Sequence, residues 1–142
     1  MAGGATPLGF AYFVGVKFVG YTAAAAVLQR LYPESKAAIV KVGLTRTLIG
    51  IAAGAAYGGL WYVLFKFLHP PGAPVYGALY LAGLFPVRIA EWMLLIYLFF
   101  DRTWSKPRGP WSVAVDGTMW SYALDAIGIA AAFVVPGGFW VC

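Results

Sequence analysis

Four long apolar stretches, at 8–31, 37–67, 75–100 and 118–141, follow one another along the chain, and short polar or helix-breaking segments separate them. Roughly 20 mostly apolar residues in a helix cross a hydrocarbon core of about 30 Å, so each stretch predicts a transmembrane span. The separators are Tyr32-Pro33-Glu34-Ser35-Lys36, then residues 68–74 with Pro70, Pro71 and Pro74, then residues 101–117 with Pro107 and Pro110. Proline and charge of this kind end helices and mark turns. The pattern predicts an all-α, polytopic membrane protein, a single domain over residues 1–142 built as a bundle of four transmembrane helices. In the fourth stretch, Pro136, Gly137 and Gly138 are placed to end the helix before it reaches the far side.

Composition strengthens this reading. The chain is 62% hydrophobic and 11% charged, whereas a water-soluble domain carries about a quarter charged residues. A soluble globule and a disordered chain are both excluded, and Cys142, the single cysteine, excludes a disulfide scaffold. The single histidine, His69, lies in the proline-rich second connection, so one chain cannot supply a bis-histidine haem or a histidine-rich zinc site. No metal and no cofactor are expected. The residues before the first stretch hold no Lys or Arg, and the apolar run exceeds a signal-peptide core, so a retained first helix is expected.

The net charge of +5 is a topology signal. Arg30, Lys36, Lys41, Arg102, Lys106 and Arg108 flank the first and third connections, and Lys66 alone flanks the second. Cytoplasmic loops hold the Lys and Arg excess, which predicts a cell inner membrane location with both termini on the non-cytoplasmic side. No basic run interleaved with aromatics lies outside the spans, so no nucleic-acid partner is expected. Trp61, Tyr62, Tyr76, Trp104, Trp111, Trp120 and Trp140 fall near span ends, where amphipathic rings anchor at headgroup level. Asp116 is expected to cap the fourth helix through the N–H of Thr118 or Met119, and residues 103–115 to lie on the anionic membrane surface.

Within the second span, Gly50, Gly54 and Gly58 form a GxxxG-type stripe, which predicts a tight helix contact, inside the chain or between copies. Each span also carries a polar group on a face suited to helix contact. Arg46 precedes Gly50 by one turn, and Lys17 shares a face with Gly20, Tyr21 and Ala24. Arg88 and Glu91 align with Leu84 and Leu95, and Asp125 aligns with Ser121, Gly128 and Ala132. Arg46, Glu91 and Asp125 come out at nearly one depth, roughly 10–14 Å from the ends bearing the first and third connections.

A charge at that depth must pair, snorkel or face water. Arg88 and Glu91, three apart, are expected to pair with each other, and Asp125 to take Arg46 or Lys17, which leaves one cation over. The surplus predicts a ligand-binding set of Lys17, Tyr21, Arg46, Arg88, Glu91 and Asp125 for an anionic group such as a lipid phosphate. Plainer roles stand beside it: a snorkelling Lys17, an intrahelical Arg88–Glu91 pair, and an Arg46 turned to the headgroups.

The functional expectation is a non-catalytic accessory or oligomer-forming bundle, with membrane lipid, a second copy or a larger membrane complex as partner. The first alternative is an enzyme acting on a phosphate-bearing lipid, with Asp125 or Glu91 as general base and Arg46, Arg88 and Lys17 holding the phosphate. The second is a small oligomeric transporter or channel with Glu91 or Asp125 as its proton or cation site. Asp125 is the only aspartate within the spans, so an aspartate dyad is not available, and no inverted repeat marks transporter halves.

Overall fold

The computed structural model describes residues 7–68, 73–105 and 109–131. His69, Lys106, Arg108, Ala132, Pro136, Gly137, Gly138, Trp140 and Cys142 lie outside the described residues. Among the described residues the fold has four helices: α1 (Pro7–Leu31), α2 (Ile39–Leu68), α3 (Ala73–Phe99) and α4 (Pro110–Ala131). Three of them, Pro7–Leu31, Ile39–Leu64 and Val75–Phe99, are long and apolar enough to cross a membrane. The shorter α4 is not among them. These helices point to a membrane protein.

The helices pack in a ring, α1 against α2, α2 against α3, α3 against α4, and α4 back against α1. The diagonal pairs, α1 with α3 and α2 with α4, meet only through side chains at the centre. Leu28, Tyr32, Val42, Leu95, Ile96, Val113 and Ala114 fill the half of the bundle near the α1–α2 and α3–α4 connections. There, Ser35 Oγ donates to Phe99 O at 2.7 Å and the Tyr32 and Phe100 rings lie 5.6 Å apart, tying the first connection to the end of α3.

The fourth helix differs from expectation. It begins at Pro110, not near residue 118. Proline suits a first helical position, where its fixed φ is helical and its missing N–H has no partner to lose. Ser112 closes the first turn, its N–H and hydroxyl both donating to Gly109 O, at 3.1 and 3.0 Å. Asp116 therefore sits inside α4, exposed on its side, and caps nothing. Of residues 103–115, those from Pro110 onward are helical. Just past α3, Asp101 Oδ1 accepts from the N–H and the hydroxyl of Thr103, each at 3.1 Å.

Pro86 lies within α3, where it deprives the Ala82 carbonyl of its helical donor. Hydroxyls from the flanking helices serve the carbonyls just upstream: Tyr57 of α2 donates to Tyr80 O at 2.9 Å, and Tyr122 of α4 to Leu81 O at 2.8 Å.

Close approach is marked at glycines other than Gly50 and Gly58 of the stripe. A Cβ at Gly43 would lie 2.9 Å from Thr22 Cα, so α1 and α2 touch there backbone to backbone. A Cβ at Gly20 would strike Leu124, and one at Gly117 would strike the Trp92 ring. At Gly50, by contrast, a Cβ would meet only Arg46 Nη1, at 3.2 Å, and at Gly58 nothing within 4 Å. Among the described residues no helix seats on the stripe at those two positions.

Candidate functional site: a buried charge cluster

The sequence puts Lys17, Arg46, Arg88, Glu91 and Asp125 on the inner faces of four separate or adjoining helix turns, and the fold brings all five together. Each is buried, with relative exposures of 4%, 1%, 1%, 8% and 3%. At Asp125 of α4, two cations converge: Lys17 Nζ from α1 pairs with Oδ1, and Arg88 Nη2 from α3 pairs with Oδ2. Arg46 of α2 meets Glu91 of α3, Nη2 to Oε2, at 2.6 Å. The three pairs link every helix to another.

The expected intrahelical Arg88–Glu91 pair is not made. Residues three apart on a helix point about 60° apart around its axis, and α3 stands between α2 and α4. One side chain therefore reaches each neighbour, and each pair joins two helices. Lys17 does not snorkel, and Arg46 does not turn to the headgroups; both end in the bundle centre. Aromatic faces hold the cations from the side. The Arg46 guanidinium lies 4.6 Å from the Tyr21 ring centre and 5.0 Å from that of Trp92, and Arg88 lies 4.6 Å from Tyr122. Lys17 Nζ lies 5.2 Å from the Phe13 ring centre.

Ser121 organises the centre. Its hydroxyl donates back to Gly117 O at 3.0 Å, and Trp92 Nε1 at 3.0 Å, Tyr21 Oη at 3.3 Å and Arg46 Nη2 at 3.4 Å converge on its oxygen, three donors competing for two lone pairs. Lys17 Nζ in turn donates to Tyr21 Oη at 3.3 Å. Tyr21 and Trp92 also meet edge to face, with centroids 5.9 Å apart, across the α1–α3 diagonal. Sequence reasoning placed Ser121 only on the Asp125 face and missed Trp92 and Tyr122. A signal was present for Trp92: it adjoins Glu91 in mid-span, away from either headgroup level, so an anchoring role does not suit it.

No protein-family model, curated protein or solved structure matches the chain. Function must be read from the cluster and the space around it. Beside the cations, Phe13, Val14, Lys17, Tyr21, Thr47, Gly50 and Ile51 enclose a small pocket of about 10 Å³ between α1 and α2. That is the room of a single water molecule. A larger lateral groove of about 360 Å³ runs between α1 and α4, lined by Ala24, Val27, Leu28, Trp92, Val113, Asp116 and Trp120 among others. Trp92 forms part of its wall, and Trp120 Nε1 bridges the two helices to Gly20 O at 2.9 Å. Both carboxylates of the cluster face cations, Asp125 through each of its oxygens and Glu91 through Oε2. Among the described residues no group of three His, Cys, Asp or Glu side chains converges as metal ligands.

Proposed function

We propose that the chain is a non-catalytic membrane protein, an accessory or oligomer-forming helical bundle whose inward charges act as an electrostatic clamp. One observation carries the reading: Asp125 takes cations from two other helices while Glu91 takes the cation of the remaining one. Removing one member of a buried pair costs about 3–5 kcal/mol, because it strands a charge. A clamp of this kind holds four helices in one arrangement where lipid gives them little reason to associate.

The expected partners are membrane lipid, a second copy of the chain or a larger membrane complex. Open space at Gly58 and Gly59 on α2 fits a contact made from outside the described bundle. The groove between α1 and α4 has the apolar walls an acyl chain takes. A phosphate headgroup reaches the cluster in this proposal only when the helices part, given the narrow room beside the cations. The Lys and Arg excess at the first and third connections orients the chain in an inner membrane with those connections cytoplasmic.

The test is Asp125→Asn in the full chain, followed by native mass spectrometry from nanodiscs containing anionic or zwitterionic lipid. Loss of the assembled species in both lipids supports the clamp. Unchanged assembly with selective loss of a bound anionic lipid overturns the clamp in favour of a lipid site. Modification of a phosphate-bearing lipid by the wild type, lost in Asp125→Asn, makes it an enzyme.

A further inference from the structure

The groove between α1 and α4 carries a carboxylate that its apolar walls do not explain. Ala23, Val27 and Leu28 of α1 and Val113 of α4 form those walls, and Trp120 stands at the inner end, its N–H donating to Gly20 O at 2.9 Å. Asp116 lies among them. Its side chain is exposed, and among the described residues neither a cation nor a hydrogen-bond donor meets it. The three cations inside the bundle are all engaged by Glu91 and Asp125, so a counter-charge for Asp116 has to come from elsewhere. The space, about 360 Å³, is that of a ligand-binding cleft, which sets a few placed polar groups in apolar walls. Val27 and Trp120 are 56% and 42% exposed, so the groove opens sideways to whatever surrounds the bundle.

We propose that the groove binds a phospholipid with a primary ammonium headgroup, its acyl chain along the apolar walls and its ammonium on Asp116. The site rests on the membrane-lipid partner proposed above and narrows it to one headgroup chemistry. Asp116 stands six residues from the start of α4, about 9 Å along the helix axis, near the end of the bundle that bears the first and third connections. A headgroup lies toward that end, with its chain running inward along the groove. The phosphate is common to every phospholipid, so the terminal group decides. A primary ammonium brings both a positive charge and N–H donors, and makes charge-assisted hydrogen bonds to a carboxylate. A trimethylammonium brings the charge without the donors. A glycerol headgroup leaves the lipid's negative charge facing Asp116, a repulsion that selects against it.

The experiment is native mass spectrometry of the full chain released from nanodiscs holding equal parts phosphatidylethanolamine, phosphatidylcholine and phosphatidylglycerol with the same acyl chains. Phosphatidylethanolamine is expected on the protein at about fivefold its share, the ratio an exposed ion pair gives at the upper end of its range. Asp116→Asn is expected to melt with the wild type and to keep a bound lipid without that preference. Ala23→Leu, which fills the groove from an exposed position, is expected to lose the bound lipid itself. Equal retention of the three lipids by the wild type overturns the proposal, as does enrichment of phosphatidylcholine or phosphatidylglycerol instead. Enrichment that survives in Asp116→Asn, or in Ala23→Leu, overturns it too. Failure of the clamp is read separately, as intact assembly of Asp125→Asn, and leaves the result at Asp116 standing.

Discussion

Arg46 Nη2 lies 2.6 Å from Glu91 Oε2, and both side chains are at least nine-tenths buried. In such a pair, each partner's worth depends on the other's presence, because a lone buried charge costs more than a neutral side chain. Arg46→Met and Glu91→Leu should therefore each destabilise the bundle by about 3–5 kcal/mol, whereas the double variant should recover much of the loss. Unfolding titrations of the four proteins give the coupling directly. Losses that simply add would show that the pair contributes nothing as a pair.

Ser121 offers a contrast with its neighbour one turn earlier on the same face. Thr118 is equally buried, but its hydroxyl donates only within its own helix, to Ala114 O at 2.8 Å. Ser121 Oγ also receives Trp92, Tyr21 and Arg46 from three other helices. Ser121→Ala leaves those donors without their acceptor and should cost about 1–3 kcal/mol, while Thr118→Ala should cost less than 1 kcal/mol or so. Comparable melting shifts for the two variants would remove Ser121 from the centre of the network.

The seam between α1 and α2 is set at Gly43. A methyl group there would meet the backbone of Thr22, at 2.9 Å from Cα and 3.0 Å from N, and backbone cannot move aside as a side chain can. Gly43→Ala should destabilise the fold by about 1–3 kcal/mol, as overpacking does. Gly58→Ala, with nothing within 4 Å, should leave the melting temperature of the isolated chain unchanged. If Gly58→Ala weakens association between copies while Gly43→Ala weakens each copy, the two glycines serve different contacts. The reverse assignment would mean that the stripe is the internal seam after all.

How far the residues foretold this architecture follows from what each signal measures. Runs of apolar residues report burial or lipid exposure, so α1, α2 and α3 are legible to within a few residues of their ends. Helix spacing reports which side chains share a face, so the inward placement of Lys17, Arg46, Arg88, Glu91 and Asp125 is legible too. Which cation meets which carboxylate is a property of helix adjacency, which no local spacing encodes. Arg88 and Glu91 sit close enough to pair, and only the position of α3 between α2 and α4 sends them apart. The start of α4 is lost for another reason: Pro110 terminates a helix in one context and begins one in another, and Asp116 beyond it mimics a cap. Gly50 and Gly58 of the stripe face no neighbouring helix among the described residues, and their spacing does not encode whether such a contact forms inside the chain or between copies.

Tyr32, just past the end of α1, gives a dependence on pH. The residue is buried, its ring beside that of Phe100. Burial raises its pKa above the ordinary value, and the Asp101 carboxylate raises it further. The folded chain thus holds this proton more tightly than the unfolded chain, whose phenol titrates near pH 10 or so. The stabilisation is fully present below about pH 10 and is lost as the pH rises through the folded value, since the unfolded state then binds fewer protons than the folded one. Melting temperature should fall at strongly alkaline pH, and Tyr32→Phe should shallow that fall. Asp101→Asn, which keeps an oxygen for Thr103, should shallow it by less, as the smaller of the two causes. Parallel alkaline declines in all three proteins would show that the phenol of Tyr32 loses its proton as readily in the fold as outside it.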